Sequence, residues 1–133
     1  MLGAAQQAYK RTQVQAASPE QLVLMLYDGA RTRVNHARIA LGSGDLALAR
    51  TNILKAQAIV GELTASLDMS AGEIARNLFR LYEYMNYQLI EANLRHRPDA
   101  LDLVQRLLTE LREAWAAMPV RANRGMESGN VAV

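Results

Sequence analysis

Long stretches of the chain repeat apolar residues every three or four positions, which is the spacing of one face of an α-helix. The clearest series spans residues 46–67 and consists of Leu46, Ala49, Ile53, Ala56, Val60, Leu63 and Leu67. A later series consists of Leu101, Val104, Leu108, Leu111, Trp115 and Met118. Alternating steps of three and four residues are typical of helices in antiparallel bundles. These two segments are therefore predicted to be helices, each with one buried face.

Two further helices complete the pattern. Ser18 as N-cap, Pro19 after it and Gln21 as the third helical residue predict a helix that runs to about Leu41, where the Gly-Ser-Gly of residues 42–44 ends it. The other helix carries the apolar series Ile74, Leu78, Leu81, Met85, Leu89 and Ala92 and ends before Pro98. Asp45 and Pro98 are placed to begin the helices that follow these two.

This order of helices and short connections predicts an all-α protein, an antiparallel up-down-up-down four-helix bundle with a short N-terminal segment packed on it. Residues 18–118 are expected to form the bundle and residues 1–17 a segment that covers it. Residues 119–133 are small, polar and glycine-containing, and are expected to be a disordered tail.

One part of the first bundle helix is more apolar than a bundle requires. Residues 22–27 read Leu-Val-Leu-Met-Leu-Tyr without a polar break. At about 100° per residue such a run covers the whole circumference of a helix, whereas a bundle helix buries only one stripe. Either the N-terminal segment or a partner is expected to cover the second apolar side, and an amphipathic helix laid in a groove suits such a surface.

Tyrosines cluster on the third bundle helix. Tyr82, Tyr84 and Tyr87 lie close together, and the core series there already uses leucines and a methionine. The three tyrosines are therefore expected to flank the core and to lie partly exposed, as interface tyrosines do.

Two polar or small residues in the first bundle helix each allow two interpretations. Asp28 precedes Arg31 by three residues, so it forms either a surface ion pair or an orienting group beside a partner groove. Gly29 shares a register with Leu22 and Leu26, and a mid-helix glycine costs about 1 kcal/mol relative to alanine. Gly29 therefore either allows two helices to approach closely or leaves room for a side chain of a partner.

Composition and charge exclude several classes of function. Fifteen basic and 13 acidic residues give a net charge of +2, which is too balanced to indicate nucleic-acid binding. The chain contains no cysteine, and its two histidines fall on different helices without a partner at metal-ligand spacing. No catalytic residue, metal site or cofactor is therefore expected. No signal peptide or membrane-spanning stretch is recognised. We therefore expect a cytoplasmic protein without membrane insertion, or one that leaves the cell by a route that needs no cleaved signal.

Four segments stand out when they are taken together. They are AYKRTQVQAASPEQLVLMLYDGA, KAQAIVGELTASLD, LYEYMNYQLIEAN and LRHRPDALDLVQRLLTELREAW. In this order they resemble the FliS family of flagellin-specific secretion chaperones, and the resemblance extends over residues 8–118. None is diagnostic alone, but their order and spacing are quite specific.

The resemblance implies a cytoplasmic helical bundle that binds the disordered C-terminal segment of flagellin, which becomes helical around it. Binding would keep flagellin from polymerising early and deliver it to the type III secretion apparatus. Delivery implies the export gate as a further partner. Other flagellar regulators are also expected as partners, and the chain itself is expected to be a monomer or a weak homodimer. The N-terminal segment with Tyr9 is implied to lie over the binding surface and to move on binding.

The residues expected to bind the partner come from the apolar run, its flanking Asp28, the tyrosine cluster and the N-terminal segment. They are Tyr9, Val23, Leu24, Tyr27, Asp28, Tyr82, Tyr84 and Tyr87. Tyr9 and Tyr27 are expected to contribute more to binding than to folding. A helical adaptor or oligomerisation module with another helical partner is the alternative, and a redox or metal-binding bundle enzyme is a third interpretation.

Overall fold

The computed structural model describes residues 3–118, without the side chains of residues 12–15. This part of the chain forms helices and no β-strand. The helices are α1 (Ala4–Ala16), α2 (Pro19–Gly42), α3 (Leu46–Ala65), α4 (Glu73–Arg95) and α5 (Pro98–Ala117), with a 3₁₀ turn at Met69–Ala71. The predicted tail, residues 119–133, lies outside the described residues.

The start of α2 follows from its predicted capping box. The Ser18 hydroxyl accepts a hydrogen bond from the Gln21 backbone N–H at 3.2 Å, and the Gln21 side chain accepts one from the Ser18 N–H at 2.9 Å. Pro19 occupies the first helical position, where a backbone N–H is not needed. At the other end Ser43 caps the helix. The predicted span of this helix is therefore confirmed.

α3 and α5 also begin where the sequence predicts. The Asp45 carboxylate accepts a hydrogen bond from the Leu48 N–H at 3.1 Å and begins α3. Pro98 is the first residue of α5. α4 ends at His96, whose φ of 53° is left-handed and stops the helix.

Four helices surround one core, and contacts join α2 to α3, α3 to α4, α4 to α5 and α5 back to α2. α2 and α4 are therefore diagonal neighbours. Arg112 pairs with Asp28 and Arg38 pairs with Asp102, so α2 and α5 run in opposite directions. The predicted antiparallel bundle is confirmed.

The core series of α3 is confirmed, whereas α2 buries a different face from the one that carries Leu22, Leu26 and Gly29. Ala49, Ile53, Ala56, Val60 and Leu63 of α3 are all buried. The ends of the predicted series are not, because Leu46 is the first residue of α3 and Leu67 lies beyond its last turn. In α2 the buried residues are Val23, Tyr27, Ala30, Val34, Ala37 and Ala40, together with Glu20 in the first turn.

The core series of α4 differs from the prediction at two residues, each of which is replaced by the residue that follows it. Ile74 is exposed and Leu81 is only half-buried. The buried residues of α4 are instead Ala75, Tyr82, Met85, Leu89 and Ala92, with Leu78 packed against them. In α5, Leu101, Val104, Leu108 and Trp115 are buried as expected, whereas Leu111 and Met118 are half-buried.

Candidate functional site

The surface between α2 and α5 contains a groove, here called the α2–α5 groove. Its first part is an open cavity of about 420 Å³. The residues that line it are Ala16, Ala17, Gln21, Leu24, Met25, Asp28 and Arg112. Leu24 and Met25 are half-buried, so they offer aliphatic surface while remaining fixed on the bundle. This is where the apolar run of α2 faces outward.

Asp28 lies at the middle of the groove and is oriented from two sides. Arg112 of α5 reaches its carboxylate through Nε at 3.0 Å and Nη2 at 3.4 Å. Arg31 contacts the same carboxylate at 3.5 Å. The expected ion pair between Asp28 and Arg31 is therefore present, but Arg112 lies closer to the carboxylate. Spacing within one helix cannot predict this second partner, because Arg112 belongs to another helix. The side chains of Asp28 and Arg112 are both partly exposed, so their ion pair contributes little to stability. Its main effect is to fix the orientation of the two side chains in the groove.

Beyond Asp28 the groove continues as a polar cavity of about 340 Å³. Asp28, Arg31, Thr32, Asn35 and Gln105 line this part. The Gln105 amide donates a hydrogen bond to the Arg31 backbone carbonyl at 3.3 Å. The groove is therefore aliphatic at one end, positively charged in its middle and polar at the other end.

Tyr27 and Tyr82, both expected at the binding surface, lie in the core. They are 1% and 2% exposed, and their hydroxyl groups share a hydrogen bond of 2.5 Å between the diagonal helices. Their ring centroids are 6.5 Å apart. Burial raises the pKa of both phenols above the usual value for tyrosine. Val23 is also buried, so none of these three side chains reaches a partner in this conformation.

The sequence contains the spacing that would have placed Tyr82 correctly. Leu78, Tyr82, Met85, Leu89 and Ala92 follow steps of four and three residues without interruption. The prediction used Leu81 instead, because a leucine is more often buried than a tyrosine. Tyr82 is buried because Tyr27 satisfies its hydroxyl group.

Tyr84 and Tyr87 are exposed, as expected, at 45% and 55%. They lie on α4, however, which does not border the α2–α5 groove. Ile90 and Leu94 are also exposed on α4, three and seven residues after Tyr87, so they lie on the same face of the helix and extend its apolar surface. The structure therefore does not bring these tyrosines together with Leu24 and Asp28.

The N-terminal helix α1 is exposed along its described side chains, and Tyr9 is 70% exposed. Ala16 and Ala17, at its end, line the mouth of the α2–α5 groove. That residues 1–17 cover the bundle and move on binding stays a prediction.

Gly29 lies beside α3 and outside the core series of α2. A Cβ added at Gly29 would meet only the Ile59 Cδ1 atom, at 3.4 Å, which is an ordinary contact with a flexible side chain. Close approach of two helix backbones therefore does not account for this glycine. Room for a partner side chain stays a prediction.

No helix in the described residues is long and apolar enough to cross a membrane. Within residues 3–118, the described side chains form no group of three or more histidine, aspartate or glutamate residues that could hold a metal ion.

Comparison with known proteins gives consistent matches over most of the chain. The family model described as "Flagellar protein FliS" matches residues 1–122. The flagellar secretion chaperone FliS of Salmonella typhimurium is 41% identical over 112 residues, which is 83% of each chain. Those of Vibrio cholerae and Bacillus subtilis are 36% and 32% identical, over 85% and 81% of this chain and 87% and 80% of their own.

Proposed function

Because this chain belongs to the FliS family, we propose that it is a cytoplasmic export chaperone for flagellin. It binds the disordered C-terminal segment of flagellin, keeps it from polymerising before export and delivers it to the flagellar type III secretion apparatus. Its activity is binding, without catalysis or a cofactor. The export gate and other flagellar regulators are further partners in this proposal.

The observation that carries this proposal is the α2–α5 groove. A disordered segment that becomes helical needs an apolar surface large enough to offset the cost of ordering it. The groove offers half-buried Leu24 and Met25 beside the oriented Asp28–Arg112 pair. An amphipathic helix laid along it would bury these aliphatic side chains and keep its polar face in water.

Calorimetry with the C-terminal segment of flagellin from the same organism tests the proposal. We expect stoichiometric binding with a large negative heat-capacity change, because apolar surface is buried as the segment folds. We also expect the helical circular dichroism of the mixture to exceed the sum of its parts. Binding without either change would contradict the coupled folding, and no binding would contradict the function.

Two variants locate the surface. Met25→Glu places a charge in the aliphatic part of the groove and is expected to weaken binding at least tenfold. Leu94→Glu is the matched control, because Leu94 is 71% exposed on α4 and does not border the groove. If Leu94→Glu abolishes binding and Met25→Glu does not, the partner binds on α4 instead.

A further inference from the structure

The face of α2 that borders the groove continues beyond the polar cavity. Asp28, Thr32 and Asn35 line that cavity, and Ile39 follows Asn35 by four positions. Steps of four, three and four residues keep these side chains on one face of the helix, within about 60° of each other. Ile39 therefore lies at the end of the same line of residues, one turn beyond the polar part of the groove.

This line of residues passes between the two aliphatic side chains at the other end of the groove. At about 100° per residue, Leu24 and Met25 lie on either side of the position that Ile39 occupies around the helix. Ile39 follows Met25 by 14 positions and Leu24 by 15, which corresponds to about 21–22 Å along the helix axis. The line thus begins and ends with aliphatic residues and is polar between them.

The helix α5 still lies beside α2 at the level of Ile39. Arg38, the residue before Ile39, bonds through its Nε to the Asp102 carboxylate of α5 at 2.6 Å. Ile39 is 64% exposed, more than any other large apolar residue of α2. A single exposed isoleucine is common on protein surfaces. Its alignment with the aliphatic end of the groove is what indicates a role in binding.

The aliphatic end of the groove is too small to hold a folding segment by itself. Leu24 and Met25 are already half-buried, so covering them alone removes little further apolar surface from water. A segment that is disordered when free must also offset the cost of becoming ordered, and helices shorter than about 12–15 residues are marginal in water. Contact with Ile39 adds apolar area, and a helix that reaches both ends has about 15 residues or more.

We propose that Ile39 is a second apolar contact of the bound flagellin segment, which lies along the groove as one continuous helix. Two aliphatic residues of this helix, about 14 or 15 positions apart, pack on Ile39 and on the Leu24–Met25 pair. Uncharged polar residues suit the part between them, which faces the exposed Thr32 and Asn35 side chains. This proposal rests on the proposed function, and it defines the length and the pattern of the segment that the groove binds.

Calorimetric titration of a matched pair of variants with the C-terminal flagellin segment tests the contact. Ile39→Asn removes the apolar side chain and leaves helix propensity nearly unchanged. Ile74→Asn is the control, because Ile74 is 59% exposed on α4, which does not border the groove. We expect Ile39→Asn to weaken binding about tenfold and Ile74→Asn less than about twofold. Thermal melting of both variants verifies that they are folded.

Segments shortened step by step from either end test the length of the helix. Trimming from one end should remove the residue that packs on Ile39, and Ile39→Asn should then have no further effect while Met25→Glu still weakens binding. Trimming from the opposite end should give the reverse. If both variants lose their effect at the same trimmed length, they contact the same part of the segment and the proposed span is wrong.

The outcomes separate this inference from the proposed function. Equal binding by Ile39→Asn and Ile74→Asn would overturn the inference and leave the proposed function standing. If Ile39→Asn dissociates a dimer of the free chain in analytical ultracentrifugation without changing its affinity for the segment, Ile39 packs on a second copy and the inference is also overturned. If wild type does not bind the full segment, the proposed function fails, and the inference fails with it.

Discussion

The hydroxyl groups of Tyr27 and Tyr82 form a polar contact in the interior of the bundle, where each depends on the other. Neither group is exposed to water, so removing one leaves its partner buried without a hydrogen bond. Replacing both with apolar groups of the same shape avoids that penalty. The two side chains therefore act as one unit in folding.

A double-mutant cycle tests this dependence. Tyr27→Phe and Tyr82→Phe should each lower the free energy of unfolding by about 1–3 kcal/mol. The double variant should lose less than the sum of the two, because no unpaired hydroxyl group remains. Urea unfolding measures all three, with the exposed Tyr84→Phe as a control that should stay within about 0.5 kcal/mol of wild type. Strict additivity would contradict the coupling.

At the scale of residues, spacing predicts which face is buried more reliably than it predicts contacts between helices. Steps of three and four residues identify the core of α3. In α4 the same spacing includes Tyr82, but the prediction assigned Leu81 to the core in its place. No local pattern indicates that Asp28 meets Arg112, because these residues lie 84 positions apart. The prediction named two residues that line the groove, Leu24 and Asp28. It did not name Asn35 or Gln105 in the polar part, because the contact of α5 with α2 leaves no local pattern in the sequence.

At the scale of helices, α4 ends at a residue whose backbone conformation is unfavourable for its type. His96 adopts a φ of 53°, and its N–H donates to the Ala92 carbonyl. A side chain with a Cβ pays about 1–2 kcal/mol for the left-handed conformation, which glycine adopts without strain. This left-handed residue lies between the last residue of α4, Arg95, and the start of α5 at Pro98.

We therefore expect His96→Gly to raise the free energy of unfolding by about 0.5–1 kcal/mol, because relief of strain exceeds the added flexibility of the unfolded chain. His36→Gly is the matched control, since His36 lies within α2 and a glycine there should lower stability. Chemical denaturation of both variants gives the comparison. Destabilisation by His96→Gly would mean that the imidazole ring makes a contact that outweighs the strain.

At the scale of the whole molecule, stability comes from one core shared by four helices. Leu63 is fully buried in it, whereas Leu111 packs against it from a half-buried position. The spacing of apolar residues assigns both to the core with equal weight. It cannot distinguish them, because burial at a given register depends on how far the neighbouring helices overlap.

Truncation should separate these two leucines. Leu63→Ala is expected to lower the free energy of unfolding by about 2–5 kcal/mol, the usual range for a fully buried leucine. Leu111→Ala should cost roughly half as much, because less apolar area returns to water. Thermal and urea unfolding of both variants, without a partner present, give the two values. A larger loss for Leu111→Ala would show that α5 packs differently in solution.

Trp115 is the sole tryptophan of the chain, and its indole N–H donates to the Glu20 carbonyl at the first turn of α2. It is 4% exposed, and Ala16 and Ala17 border the groove near the same end of the bundle. Because indole emission shifts with the polarity around the ring, the protein carries a built-in optical label where α2 begins. Separation of α5 from α2 there would shift the emission to longer wavelengths. The opening of this end of the bundle can thus be followed in real time without attaching a dye.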